Sequence, residues 1–281
     1  MPEDAEKGRR AHSFVADLVE NQKMTMDDIV FDEKKRPVHC IHPEFINSQL
    51  ELSLNNLNLE TIDLMCLQNV YETQGALIVP EALQTRISKA FEFLEKARSD
   101  GKIRMYGLAT WNSLRSDSSN LGVYCNLQDI VQLAEKIGGK DHGMRFIQVP
   151  INLMSPEAFV ENYQMLNTPS GTMTGTLTAI TNSLEINLIS TSPLFQGHIV
   201  NVPLENNLFN VKNNASKHLQ IIRSIPALSL KSTIVGMKQM HHVRENLEII
   251  GVPPLNTKEF YDVLAPKKRK PFIEKEAEIF K

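Results

Sequence analysis

The residues of this chain that could do chemistry stand where short apolar runs end. Gln68-Asn69, Thr110-Trp111-Asn112, Gln148 to Asn152, Ser190-Thr191-Ser192 and Gly236-Met237-Lys238 each close or follow such a run. Their amides, hydroxyls and one ammonium are groups that hydrogen-bond a ligand. The pair His241-His242 is a weak metal signal, because adjacent residues on a helix point to different faces. Cys40, Cys66 and Cys125 are an odd number with no metal-ligand spacing, which reads as reduced thiols, Cys66 inside a core strand.

These polar ends need elements to position them. Strand candidates begin near Ile62, Ile103, Arg145, Ile186 and Ser232, at intervals of about 40 residues that suit one strand and one helix each. The strands are expected at 62–67, 103–109, 145–151, 186–192 and 232–237. Between the first two, Leu83, Ile87, Phe91 and Leu94 line one helix face, and Ser99-Asp100-Gly101-Lys102 ends it. Strand, helix, strand makes a βαβ unit with parallel strands. Further helices are expected from Pro43 through Ile46, Leu50, Leu54 and Leu57, and after Asn126 through Ile130, Val131 and Ala134 to Gly138-Gly139. Others are expected from Thr176 to Leu184, from Ala215 to Ile225, and through Val243, Leu247 and Ile250. In a parallel barrel the loops after the strands open on one face, so the polar ends should converge as a rim over an apolar core. Ahead of Pro43 the sequence reads as a helix from Ala11 to Glu20, then a charged loop at Asp32 to Arg36. Met154 to Pro169 reads as an irregular excursion.

The chain has 281 residues, 42% hydrophobic and 22% charged, and a formal net charge of -3. That composition suits a soluble globular protein, and its charge offers nothing to attract nucleic acid. No apolar run reaches the length of a membrane span, and Met1 to Lys7 lacks the basic start and apolar segment of a secretory signal. An intracellular protein is therefore expected, in cytoplasm or plastid. Pro266-Lys267-Lys268-Arg269-Lys270 reads as a solvated basic tail, with a nuclear-localisation signal as the other reading.

Four ordered motifs resemble the aldo-keto reductases, barrels that reduce carbonyls with NADPH. Leu57 to Leu64 is similar to that family's LGLDYIDLY passage, and Gly101-Lys102-Ile103-Arg104-Met105-Tyr106-Gly107 to its GKIRAIG. Ser192-Pro193-Leu194-Phe195-Gln196-Gly197 resembles its SPLGQG turn, and Val235-Gly236 with Glu245-Asn246-Leu247 its closing VG and EENL. Ala109-Thr110-Trp111 and the segment Phe146 to Leu153 resemble a bacterial and plant branch. The resemblance covers residues 44–252, leaving 1–43 as a divergent amino-terminal segment and 253–281 as a basic tail. It implies an α/β fold, an incomplete TIM-type (β/α) barrel, because three βα units do not fit ahead of Ile62.

The resemblance also implies roles. Gln148 falls where the family's glutamine bonds the nicotinamide carboxamide, and Ser192, Leu194, Glu245 and Asn246 fall on nucleotide contacts. Without the resemblance, Gln148 would read as satisfying a buried backbone group. Ala109 and Thr110 replace a serine-asparagine pair, Thr191 an aromatic ring, and His242 an arginine near the 2′-phosphate, with Lys238 and Arg244 close in sequence. The family's proton-donating tyrosine, its lysine and its aspartate have no counterpart, and Gln68 stands at the histidine. A neutral amide can hydrogen-bond a carbonyl, but it cannot carry a proton. Tyr71 and Tyr106 are the tyrosines that could be put forward as substitutes. The expected function is an NADPH-dependent oxidoreductase of small carbonyl substrates, impaired or inactive as this chain; the alternative is a non-catalytic descendant binding a nucleotide or a protein partner.

Overall fold

The computed structural model describes residues 16–265 apart from Leu18, Gln22 and Glu205. The helix expected from Ala11 to Glu20 lies largely outside these residues, and the basic run Pro266 to Lys270 wholly so. Backbone contacts divide the chain into two compact units, Met1–Phe146 and Ile147–Lys281. The division cuts through the stretch 44–252 that the motifs suggest is continuous.

The first unit opens with an antiparallel hairpin of β1 (Ile29–Phe31) and β2 (Pro37–Cys40). Its charged turn is held by Asp32, whose Oδ1 accepts from the backbone N–H of Lys34 and Arg36, with Lys35 left-handed at φ +55°. The sequence reading took this stretch for a loop alone, because strands of three and four residues are too short to show an alternating pattern. Helix α1 (Pro43–Leu57) starts on the expected proline, buries Ile46, Leu50 and Leu54, and ends at left-handed Asn58. Strand β3 (Ile62–Gln68), the short helix α2 (Val70–Gln74) and helix α3 (Pro80–Ser99) follow. The face Leu83, Ile87, Phe91 and Leu94 is buried as its spacing requires, and Gly101 closes the helix at φ +77°. Strand β4 (Ile103–Ala109) pairs parallel with β3, from Ile62 opposite Ile103 to Gln68 opposite Ala109. Gly107 is required there, since a Cβ would stand 2.1 Å from the carbonyl oxygen of Phe146. Helix α4 (Leu127–Gly138) completes the unit, Asn126 preceding it without the expected side-chain cap.

Strand β5 (Met144–Pro150) contains the division between the units. The second unit continues with α5 (Glu157–Val160) and an antiparallel hairpin of β6 (Gln164–Thr168) and β7 (Gly171–Gly175). This hairpin corrects the irregular excursion expected at Met154 to Pro169. Its turn is set by Gly171 at φ +123° and by the Thr168 hydroxyl, which donates to the Gly171 carbonyl at 2.8 Å. Next come α6 (Leu177–Ser183), β8 (Asn187–Thr191), α7 (Asn214–Arg223), β9 (Leu230–Thr233), α8 (Met240–Leu247) and α9 (Thr257–Val263). Strands β8 and β9 are parallel.

Among the described residues the large sheet has five strands in the order β3-β4-β5-β8-β9, an open α/β sheet with flanking helices. The fifth strand was expected at 232–237 and lies at 230–233 instead. Ile234 N still donates to Ser190 O at 2.8 Å, but Ile234 and Met237 are 51% and 42% exposed, so no burial continues the strand past them.

Candidate functional site

The second unit contains a cavity of about 1100 Å³. Gln148 reaches it from β5, Ser192 and Leu194 from the loop after β8, and Glu245 and Asn246 from α8. All five candidate residues thus line one space, although they come from three separated parts of the sequence. Asn246 is the most buried of them, at 7% exposure. Thr191, Gly236 and His242 also line it, while Lys238 and Arg244 are not among its lining residues.

The local sequence fixes this lining in place. The loop after β8 holds Ser192, Phe195, Gln196 and Gly197 at positive φ, from +44° to +89°, where only the glycine is at ease. Hydrogen bonds hold the strained residues. Phe195 N donates to Ser192 O at 2.9 Å, Gly197 N to Leu194 O at 2.8 Å, and Asn152 Nδ2 to Ser192 O at 2.9 Å. The buried Phe195 ring anchors the loop below. Helix α7 begins at the cavity, where the Asn213 side chain caps it by accepting from Ser216 N at 2.7 Å. Asn214 Nδ2 donates to Val200 O at 2.9 Å, and Ser216 Oγ donates to Glu245 O at 2.9 Å. Loop, α7 and α8 therefore brace one another.

The chemistry of the lining is that of recognition. Its ionic groups are Lys212 and Glu245, with His242 as the one imidazole; the rest is amide, hydroxyl and apolar surface. Lys212 escaped the sequence reading. The signal available for it was the helix start Asn213-Asn214-Ala215-Ser216, which places the residue before the cap at the mouth of whatever the helix faces.

The first unit holds the remaining candidates. His39 Nδ1 accepts from Gln74 Nε2 at 2.8 Å, so its Nε2–H donates to Gln68 O at 2.7 Å, and Arg86 fixes the Gln74 oxygen at 2.9 Å. Burial pushes the His39 imidazole below its ordinary value, which keeps it neutral. Gln68, His39, Cys40 and Cys66 line a cavity of about 940 Å³ within this unit. Burial raises both thiols to about 11, far from thiolate at neutral pH. Glu72 Oε1 accepts from the backbone N–H of Trp111, Asn112 and Ser113 at 2.8, 2.8 and 2.9 Å, which pins the loop after β4. Neither tyrosine is a ready proton donor. Burial first, then Cys125 beside it, raises Tyr71; burial and the Glu95 carboxylate raise Tyr106. Among the described residues no helix is long and apolar enough to cross a membrane, and no group of three or more His, Cys, Asp or Glu could hold a metal ion.

The aldo/keto reductase family model matches residues 7–125. The match starts ahead of the motif at Leu57 to Leu64 and stops short of Gln148. Among solved structures, an aldo-keto reductase from Bacillus halodurans in its holo form superposes with a TM-score of 0.52 at 14% identity, covering 88% of this chain and 70% of that one. The glycerol dehydrogenase of Gluconobacter oxydans gives 0.53 at 15% identity, with 83% and 68% covered. A thermostable aldo-keto reductase solved with the inhibitor epalrestat gives 0.52 at 14% identity, with 84% and 67% covered. At such identities the likeness concerns the fold, and the chain spans about two thirds of the length of these structures. No curated protein matches the sequence.

Proposed function

We propose, from the match of the aldo/keto reductase family model to residues 7–125 and the likeness of the fold to aldo-keto reductase structures, that the chain binds NADPH in the cavity of its second unit and reduces carbonyls poorly or not at all. One observation carries the reading. Gln148, Ser192, Leu194, Glu245 and Asn246, picked out by motif, line a single cavity whose size and hydrogen-bonding groups suit part of a dinucleotide.

The donor set fits such a ligand. The Gln148 amide can both donate to and accept from a carboxamide, the Ser192 hydroxyl can donate to a phosphate oxygen, and Lys212 supplies positive charge. Asn246 is held nearly out of water, where a hydrogen bond to a ligand is worth more than at the surface. Bound there, the nicotinamide would supply a hydride to a small carbonyl substrate.

Among the described residues, none is identified that would meet the other half of the reaction. Hydride addition builds negative charge on the carbonyl oxygen, and a positioned proton donor is typically worth about 100-fold or more in rate. Gln68 stands where the resemblance puts a histidine, and it carries no proton. Tyr106 is fully buried with its hydroxyl committed to Glu95, and Tyr71 is raised by burial.

The test is steady-state NADPH oxidation by the purified chain with a panel of small aldehydes. The expected rate is far below the roughly 1 per second of an ordinary enzyme. Turnover at that rate or above would show a proton donor outside this account.

A further inference from the structure

Strand β3 stands at the end of the large sheet, so it pairs with β4 on one side and, among the described residues, with no strand on the other. Asn69 N donates to Ala109 O, and the register runs unbroken from Leu64 opposite Met105 to Gln68 opposite Ala109. Backbone N–H and C=O groups alternate in direction along a strand, so those of Met65 and Leu67 face β4 and those of Leu64, Cys66 and Gln68 face away. The Gln68 carbonyl is met on that side by His39 Nε2 at 2.7 Å. Among the described residues nothing of the kind meets Leu64 or Cys66. Edge strands are ordinarily blunted by lysine or proline, and Leu64-Met65-Cys66-Leu67 contains neither.

This edge opens on the first unit's cavity of about 940 Å³. Met65 to Asn69 form one wall of it, and Phe45, Gln49 and Leu52, spaced as one stripe of α1, form another. Val38 of β2 and Leu52 are 49% and 50% exposed, so apolar surface is left open to water beside the edge. No Asp, Glu, Lys or Arg lines the cavity.

We infer that this slot takes an extended, uncharged segment of a different polypeptide, which adds to β3 as a further strand through the backbone of Leu64 and Cys66. The unmet groups are peptide N–H and C=O groups in a row, and another extended backbone satisfies such a row in register while its side chains fill the space beside it. Charge selects the segment as well: a charged side chain entering the slot finds no partner in the lining and gives up its hydration. A second copy of this chain fits badly, because its own free edge lies between the same hairpin and α1, and edge-to-edge pairing would set wall against wall. His39 fixes where the added strand stops, since it already holds the Gln68 carbonyl.

The inference is independent of the cofactor reading, whose cavity lies in the other unit. Its probe is a labelled, capped peptide of alternating threonine and valine, titrated into the full chain by fluorescence anisotropy. Two control peptides keep the side chains but carry a methyl group on every second backbone nitrogen, one in each register. Amide hydrogen exchange, followed by NMR, reports on the edge itself. Saturable binding of the probe is expected, about tenfold or more weaker for one of the two methylated peptides and for the native peptide with Val38→Lys or Leu52→Lys. In the free chain the Leu64 and Cys66 amides should exchange fast and those of Met65 and Leu67 slowly; the peptide should slow the first pair about tenfold or more. Slow exchange at Met65 and Leu67 in the two variants shows that their fold is kept. Absence of saturable binding, equal binding of both methylated peptides, or slow exchange at Leu64 and Cys66 before any peptide is added overturns the inference. A dimer of the native chain that Leu52→Lys dissolves would assign the slot to a second copy and overturns it likewise.

Discussion

The Tyr106 hydroxyl donates to Glu95 Oε1 at 3.0 Å, joining β4 to α3 beneath the Phe91 ring, whose centroid is 5.1 Å from that of Tyr106. The same carboxylate oxygen accepts from Gly143 N at 2.6 Å, and Oε2 meets Arg98 at 3.2 Å. Tyr106 is therefore a structural tyrosine.

Tyr106→Phe should lower stability by about 1.5–3 kcal/mol, the range for a hydrogen bond to a charged group. Whatever turnover the chain has should not change. Glu95→Ala should cost more, because it leaves the Gly143 N–H and the tyrosine hydroxyl without their acceptor. Urea denaturation of both variants, with aldehyde reduction measured alongside, checks the pair. A loss of turnover in Tyr106→Phe at unchanged stability would make the hydroxyl a proton donor after all.

Glu72 Oε1 is the shared acceptor of three successive backbone N–H groups at Trp111, Asn112 and Ser113. Removing it leaves these donors to find water or go unpaired. Glu72→Ala should cost about 2–3 kcal/mol and should speed proteolytic cutting between residues 111 and 125, where the loop loses its anchor. Unchanged cutting would mean that the turn holds itself.

Burial pushes the His218 imidazole down to about 4 from 6.5, the Ile199 backbone bond opposing it and Lys217 adding to it. The sign follows from which state binds the proton. Between about pH 6.5 and 4 the unfolded chain is protonated at this residue and the folded chain is not, so stability falls as pH falls through that window. The fall from this residue alone amounts to about 3 kcal/mol at most. Denaturant midpoints across the window should drop in the native chain and drop less in His218→Gln. Equal slopes would place the acid sensitivity elsewhere, with His39 or His142 as the next groups lowered by burial.

The long helices were legible because their burial is local and periodic: Leu83 to Leu94 and Ile46 to Leu54 announce their faces at steps of three and four. The parallel strands showed as apolar runs at a repeated spacing; of their polar ends, Gln148, Thr191 and Ser192 line the second unit's cavity, whereas Gln68 and Asn69 line the first unit's and Thr110 to Asn112 line neither. Both hairpins escaped, since β1, β2, β6 and β7 are five residues or fewer and β7 is exposed at Thr172, Met173 and Thr174. Lys212 escaped because its neighbours Asn213 to Ser216 announce a helix start but not that this start meets Ser192 at one cavity. That relation is tertiary. The end of the fifth strand was misjudged because Ile234 and Val235 are apolar but not wholly buried, and apolarity alone does not extend a strand.

The most direct measurement of the central claim is a fluorescence titration of the full chain with NADPH, run beside Gln148→Ala and Asn246→Ala. Saturable binding by the native chain, weakened about tenfold or more in each variant, is the predicted result, since each substitution removes a hydrogen-bonding side chain from the cavity wall. Saturable binding that neither substitution weakens would put the cofactor somewhere other than this cavity, and no saturable binding at all would contradict the proposed function.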